Sequence, residues 1–278
     1  MTISIAYLGP SGTNAETAAL AYANWLAREK GQEALLCPYP SISQALRSVA
    51  QGQADLAVVP VENSTEGSVA ITLDTLWQLD RLQIQQALIL PICHALLSRA
   101  SSLGEIKTVY SHPQALAQCQ GWLEQFLPSV QLVPTNSTTE ALQHLDREPT
   151  AAAIASPRAS QLYHQPLLAS NINDYPDNCT RFWVLGLTPS TNGTHISLAF
   201  SVPDVPGSLV KPLQAFAKRG INLTRIESRP TKRSLGEYLF FIDLEGNASQ
   251  ESVQAALAEL SEQAAVLKIF GNYKVLPI

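Results

Sequence analysis

Residues 3–31 read ISIAYLGPSGTNAETAALAYANWLAREKG, and their reading decides the fold. Residues 3–8 are a short apolar run of strand length, followed by the turn Gly9-Pro10-Ser11-Gly12. Thr13-x-x-Glu16 is a capping box, in which side chain and backbone satisfy each other at a helix start. Ala15, Ala18, Ala19, Tyr22, Trp25 and Leu26 then recur at helical spacing, and Gly31 stops the helix. The same β–turn–α unit repeats outward from there. Residues 43–51 form a helix ending at Gly52, and residues 56–61 are continuously apolar, like a buried parallel strand. Val109 leads into a helix after His112, and residues 130–133 lead into a helix capped by Ser137-x-x-Glu140. Residues 151–155 and 182–185 read as later strands. Strands alternating with helices predict α/β layers.

The rhythm breaks at Leu187. Thr188, Pro189, Ser190, Thr191, Asn192 and Gly193 make a polar, turn-rich linker. Beyond it come a strand at 196–202, a helix at 207–219 closed by Gly220, strands at 221–226 and 238–244, an amphipathic helix at 249–263 and a strand at 266–273. That order, βαββαβ, predicts a second, ferredoxin-like domain over residues 195–274.

Composition narrows the function. Of 278 residues 46% are hydrophobic and 15% charged, against about 25% charged in an ordinary globular chain. Such a chain buries a core and is not disordered. The net charge of −5 argues against general nucleic-acid binding, which needs a basic surface. Residues 1–10 lack the basic and apolar regions of a signal peptide, and the greasiest stretch, 87–97, is interrupted by Pro91 and His94, so no membrane span is expected. Cys37, Cys93, Cys119 and Cys179 lie far apart without a C-x-x-C, which reads as reduced thiols in a cytoplasmic protein. The five histidines form no H-E-x-x-H, so no metal site is expected.

Three polar loops follow apolar strands, at the carboxyl ends where open α/β sheets place ligands. Ser11-Gly12-Thr13 offers N–H groups at a helix start to an anion, or is a plain βα turn. Glu62-Asn63-Ser64-Thr65-Glu66-Gly67-Ser68 offers more polar groups than helix capping needs, and so reads as a ligand loop. Asn178-Cys179-Thr180-Arg181-Phe182 sets a guanidinium beside a hydroxyl, suited to a carboxylate, or to a surface salt bridge. His112, before Pro113, is an acid or base near neutral pH, or a capping residue.

Together these residues resemble one enzyme family. Tyr7-Leu8-Gly9-Pro10-x-Gly12-Thr13, Val59-Pro60-Val61-Glu62-Asn63-Ser64-x-x-Gly67, Ser111-His112-Pro113-Gln114-Ala115-Leu116-x-Gln118-Cys119 and Asn178-x-Thr180-Arg181-Phe182 resemble the prephenate dehydratases. Gly207-Ser208-Leu209-Val210 and Glu227-Ser228-Arg229-Pro230 resemble the GALV and ESRP motifs of that family's regulatory ACT domain. Ser208 replaces the usual alanine, and Asn14 stands where an aromatic residue is common.

The resemblance implies conversion of prephenate to phenylpyruvate in phenylalanine biosynthesis, without metal or organic cofactor. It implies a catalytic region, residues 1–186, folded like a type II periplasmic binding protein. One lobe would be residues 1–78 plus 158–186 and the other residues 79–157, with the active site between them. Thr180, Arg181 and His112 are the implied catalytic residues. Ser11, Thr13, Glu62, Asn63, Ser64, Thr65, Gly67, Gln114, Asn178 and Phe182 would bind substrate. The implied effector is L-phenylalanine, held by Asp204, Gly207, Ser208, Leu209, Val210, Asn222, Glu227, Ser228 and Arg229, with chains associating as a dimer or tetramer through the ACT domain. Dehydration of arogenate and non-catalytic amino-acid sensing are the competing readings.

Overall fold

The computed structural model describes residues 2–190 and 192–278. Met1 and Thr191, which fall in the predicted first lobe and linker, lie outside them. β1 (Ile3–Leu8) runs into α1 (Asn14–Lys30), which Thr13 caps and Gly31 closes at φ 61°. Then come β2 (Ala34–Tyr39), α2 (Ile42–Ala50), β3 (Leu56–Asn63), β4 (Gly67–Ser68), α3 (Ala70–Gln78) and β5 (Gln83–Pro91). A second group follows: β6 (Ala95–Ser98), β7 (Thr108–Ser111), α4 (Pro113–Ala117), α5 (Gln120–Phe126), β8 (Gln131–Pro134), β9 (Ala151–Ala155), α6 (Pro157–Tyr163) and β10 (Leu167–Ser170). The chain returns as β11 (Cys179–Gly186). The C-terminal domain is β12 (His195–Ser201), α7 (Val210–Ala217), β13 (Leu223–Pro230), β14 (Tyr238–Glu245), α8 (Glu251–Gln263) and β15 (Val266–Pro277). The helix expected after Ser137 is a single 3-10 turn over Glu140–His144.

Strand pairing builds two lobes. One sheet runs β13-β14-β12-β15-β5-β11-β3-β1-β2, with β4 on β3; the other runs β10-β6-β9-β7-β8. The chain passes between them at residues 92–94 and again at 171–178, in the twice-crossed, two-lobed layout of type II periplasmic binding proteins. The two crossings are bonded together: Ile92 N–H donates to the Asn178 carbonyl, and His94 N–H to Asn173 Oδ1. This moves both expected lobe boundaries. β5 pairs with β11 and so stays with the first lobe, and β10 pairs with β6 and so stays with the second. Helix–strand alternation locates elements along the chain, whereas sheet membership follows from pairing between distant strands.

β3 is buried except at half-buried Pro60 and Glu62, close to what its apolar run predicts, and pairs parallel with β1 but antiparallel with β11. α1 covers one of its faces. The other is covered by α2 and α3 and by Phe241, Phe270 and Tyr273 of the C-terminal domain. That domain is the expected βαββαβ unit, but its last strand does not stop at its edge. β15 pairs with β12 as far as Tyr273, and Lys274–Pro277 then pair with β5, so a single strand stitches the domains into one sheet. No helix among the described residues is long and apolar enough to cross a membrane.

Candidate active site

Side chains alternate across a strand, and β11 shows what that decides. Phe182 and Val184 pack on the α1 face, whereas Trp183 and Leu185 join the core shared with the C-terminal domain. The Thr180 hydroxyl meets Asn63, at 2.9 Å from its Nδ2. Arg181 turns the opposite way, its Nη1 lying 3.2 Å from Asp243 of β14 and 3.5 Å from Glu62. The expected catalytic residue Arg181 and the expected substrate contacts Glu62 and Phe182 thus have protein partners of their own. Arg181 and Glu62 face the C-terminal domain, and Phe182 is a core residue packed near α1. A motif read as a string treats adjacent residues as neighbours, but a pleated strand sends them to opposite sides.

The second and third loops close into a network whose proton positions can be worked out. Backbone N–H groups of Thr65 and Glu66 donate to Asn63 Oδ1, so Asn63 Nδ2 must face the other way. It donates to Asn178 Oδ1 at 2.8 Å and to Thr180 Oγ1. Asn178 Nδ2 then donates to Gln118 Oε1 at 3.0 Å, and Gln118 Nε2 faces Thr65 Oγ1 and Glu66. Ser64 is also engaged, donating to Asn178 Oδ1 and accepting from Cys179 N–H. Ser64, Thr65 and Asn178 are therefore committed to the loop's own architecture. Thr180 is different. Its oxygen accepts from an amide, and among the described residues its proton has no acceptor.

Two members of this network were missed as site residues. Gln118 lies in the second lobe and bridges to Thr65, Glu66 and Asn178 of the first lobe and its crossing. Its motif was legible, but a glutamine inside a helical motif does not show where it points. His94 lies on the first crossing, with Nε2 2.9 Å from Gln118 Oε1. That oxygen can only accept, so Nε2 carries the proton. Burial pushes the His94 imidazole below its usual range, against the opposing pull of Gln118. Nothing in the sequence around His94 marks it.

The first loop is a latch between the lobes. Thr13 is spent on capping: its hydroxyl accepts from Glu16 N–H and donates to backbone carbonyls. The Glu16 carboxylate folds back on Gly12 N–H at 2.8 Å, so a negative charge already occupies this helix start. Arg158 of the second lobe meets Glu16 at 2.8 Å, Ser156 donates to the Gly12 carbonyl, and Tyr163 to the Ser11 carbonyl. The Ser11 hydroxyl pairs with Tyr7. Gly12 has φ 86°, and a Cβ there would stand 2.9 Å from Tyr163 and 3.1 Å from Thr139, so only glycine lets the lobes meet.

Burial alone would raise the Glu16 carboxyl, but Arg158 and Gly12 N–H hold it below the usual carboxylate range. A lowered folded pKa contributes stability above the unfolded value, and the contribution disappears as pH falls through the folded one. Glu16→Gln should therefore be less stable than the parent at pH 7. Urea unfolding should show the gap closing between about pH 5 and pH 3. An equal gap at both ends would remove charge from the latch.

Asn63, Glu66, Gly67 and Ser68 line one wall of a cavity of about 540 Å³, and His112 and Gln114 line the other. That is the size of a small-molecule site. Thr180 lies behind this wall, with its hydroxyl on the lining residue Asn63. His112 Nδ1 accepts from Gln114 N–H at 3.2 Å and so caps α4. The Gln114 side chain is exposed and has no partner among the described residues.

In the C-terminal domain, Asp204 and Gly207 are exposed in the turn before α7, Ser208 and Leu209 are half-buried, and Val210 is exposed at its start. Asn222 donates to Glu245. Along β13, Ser228 is exposed and Glu227 half-buried. Arg229 grips both oxygens of Asp74 on α3 at 3.0 Å, tying β13 to the catalytic lobe.

Comparison with known proteins adds an independent line. Residues 5–190 match the family model for prephenate dehydratase, and residues 196–262 match that for the ACT domain. The bifunctional chorismate mutase/prephenate dehydratase of Aquifex aeolicus is 43% identical over 274 residues, covering 98% of this chain and 73% of that protein. The prephenate dehydratase of Lactococcus lactis subsp. cremoris is 38% identical over 98% of both chains. Among solved structures, the prephenate dehydratase of Arthrobacter aurescens in complex with L-Phe superposes with TM-score 0.86 at 35% identity, covering 98% of this chain and 90% of that one.

Proposed function

The chain belongs to the prephenate dehydratase family and carries an ACT domain, and from that premise we propose how its residues divide the work. The reaction expels carbon dioxide and the ring hydroxyl of prephenate together, giving phenylpyruvate. The hydroxyl leaves as water after taking up one proton, and aromatisation drives the step.

Thr180 is the group that assists departure. The observation that carries this is the amide network, which makes Thr180 Oγ1 an acceptor from Asn63 and leaves its O–H to donate outward. A threonine hydroxyl is too weak an acid to surrender its proton. It stabilises charge developing on the departing oxygen, as a donor set in place beforehand. A water molecule retained in the cleft supplies the proton and becomes the hydroxide that the reaction releases, His112 Nδ1 being held as a cap. With Arg181 and Glu62 turned toward Asp243, uncharged donors meet the substrate carboxylates, among them Gln114 of the cavity wall and Ser11 of the first loop. Closure of the lobes through Gln118 and the Arg158–Glu16 latch excludes bulk water.

The ACT domain binds L-phenylalanine at the turn of Asp204, Gly207, Ser208, Leu209 and Val210, with Asn222, Glu227 and Ser228 closing the site. Chains associate there, which fits the exposure of Val205, Val210 and Ile226. The enzyme acts in the cytoplasm, with its four cysteines as free thiols.

The test is phenylpyruvate formation by the purified chain on prephenate and on arogenate, across a phenylalanine titration. Turnover of prephenate, slowed by phenylalanine, is expected. Turnover of arogenate alone would reassign the substrate, and turnover indifferent to phenylalanine would remove the effector. Gly207→Val should blunt inhibition several-fold with prephenate turnover intact. A Cβ there has open space around it, so the cause would be the φ of 80° that valine resists, which reshapes the turn. An unchanged inhibition curve would take the turn out of the effector site.

A further inference from the structure

We propose that Asp243, a residue of the ACT domain, is a positioning residue for the dehydration. Through Arg181 it holds the register of β11 on β3, and with it the direction in which Thr180 presents its hydroxyl. The proposal rests on the reading of Thr180 given above.

Asp243 is fully buried. Its carboxylate accepts from Arg181 Nη1 at 3.2 Å, from Arg225 Nε at 2.8 Å and Nη2 at 3.4 Å, and from the Ser197 hydroxyl. Glu62 lies 3.5 Å from the same Arg181 nitrogen. Two guanidinium groups and two carboxylates thus meet where the domains join. Buried charges of this kind hold one geometry, because removing a single partner leaves the others uncompensated.

The register of the strands makes that geometry matter for catalysis. Thr180 stands opposite Asn63, and Arg181 stands opposite Glu62, one step along. The register then slips, with Phe182 opposite Pro60, so Val61 is the extra residue of a bulge. A bulge loosens and re-aims a strand beside it. The proton-directing pair sits next to this loose point on one face, and the charge cluster pins the same two strands from the other face. Neighbouring residues share a peptide plane, so a shift of Arg181 turns Thr180.

The anchor also reaches the effector side. Arg225 lies on β13, the strand that carries Glu227, and its Nη1 approaches Ser68 at the end of the catalytic loop at 3.4 Å. One carboxylate is therefore shared between the regulatory strand and the catalytic strand.

The experiment is a double-mutant cycle in the full chain, reading kcat and KM for Asp243→Asn, Thr180→Ala and the double variant. Asp243→Asn should lower kcat about tenfold with KM within about twofold, the pattern of an interaction realised only in the transition state. In the Thr180→Ala background the same change should alter kcat by less than about twofold, because coupled residues are not additive. A tenfold loss in both backgrounds, a raised KM with kcat unchanged, or parent-like kinetics would each overturn the proposal. If Asp243→Asn fails to fold, Arg181→Lys, which keeps the charge and most of the stem, takes its place in the cycle under the same criteria. Parent-like turnover by Thr180→Ala alone is a separate failure. It would refute the role of Thr180, and the positioning role of Asp243 with it.

Discussion

Thr180→Ala should fold like the parent and lose about 10²–10³ in turnover, the usual cost of deleting one donor aimed at developing charge. The structure says why folding survives. The change deletes a hydroxyl and a methyl from a buried strand, and Asn63 Nδ2 keeps two other acceptors, Asn178 Oδ1 and the Cys179 carbonyl. No buried donor is orphaned, so the stability cost stays near 1 kcal/mol. Thr180→Ser keeps the hydroxyl and should recover much of the rate. Initial rates on prephenate, with thermal unfolding alongside, check both halves. More than half of parent turnover in Thr180→Ala would remove this residue from the mechanism.

Asn63→Asp should cost about 10² or more in kcat, although it preserves shape almost perfectly, because it takes away a preset donor. An aspartate oxygen still accepts from the N–H groups of Thr65 and Glu66. The second oxygen, however, would replace the donor that serves Asn178 Oδ1, the Cys179 carbonyl and Thr180 Oγ1. Thr180 would then donate its proton to residue 63 instead of to the substrate. Two carbonyl acceptors would also face a carboxylate, so unfolding should shift downward as well. The pH profile discriminates. Once protonated, the carboxyl can donate again, so the ratio of variant to parent activity should rise as pH falls. A ratio flat across pH would mean that the loss comes from distortion of the loop and not from the direction of the hydrogen bonds.

Several parts of the molecule were legible in order along the chain. Thr13 and Gly31 bracket α1 as expected, because capping is a local matter of which side chain satisfies which N–H. The continuous apolar run of β3 announced a strand covered on both faces, and both faces are covered. Four residues of the polar loop after it line the cavity. Capping was less decisive at Ser137, where the hydroxyl caps as expected but only a 3-10 turn follows.

By itself the sequence determined the two α/β units, their order, the polar loops at strand ends and the family, since each depends on residues close together in the chain. The tertiary structure alone decided which face each loop residue serves. Thr180 and Arg181 are neighbours by one peptide bond, yet one accepts from Asn63 and the other grips Asp243. Strand pleating sets that division, and only the strands and domains packed on either side give it meaning. The same holds for His94, for the long reach of β15 into the catalytic sheet and for Arg229 on Asp74. Each is a contact between residues far apart in the chain, placed by non-local pairing that leaves no local pattern to read.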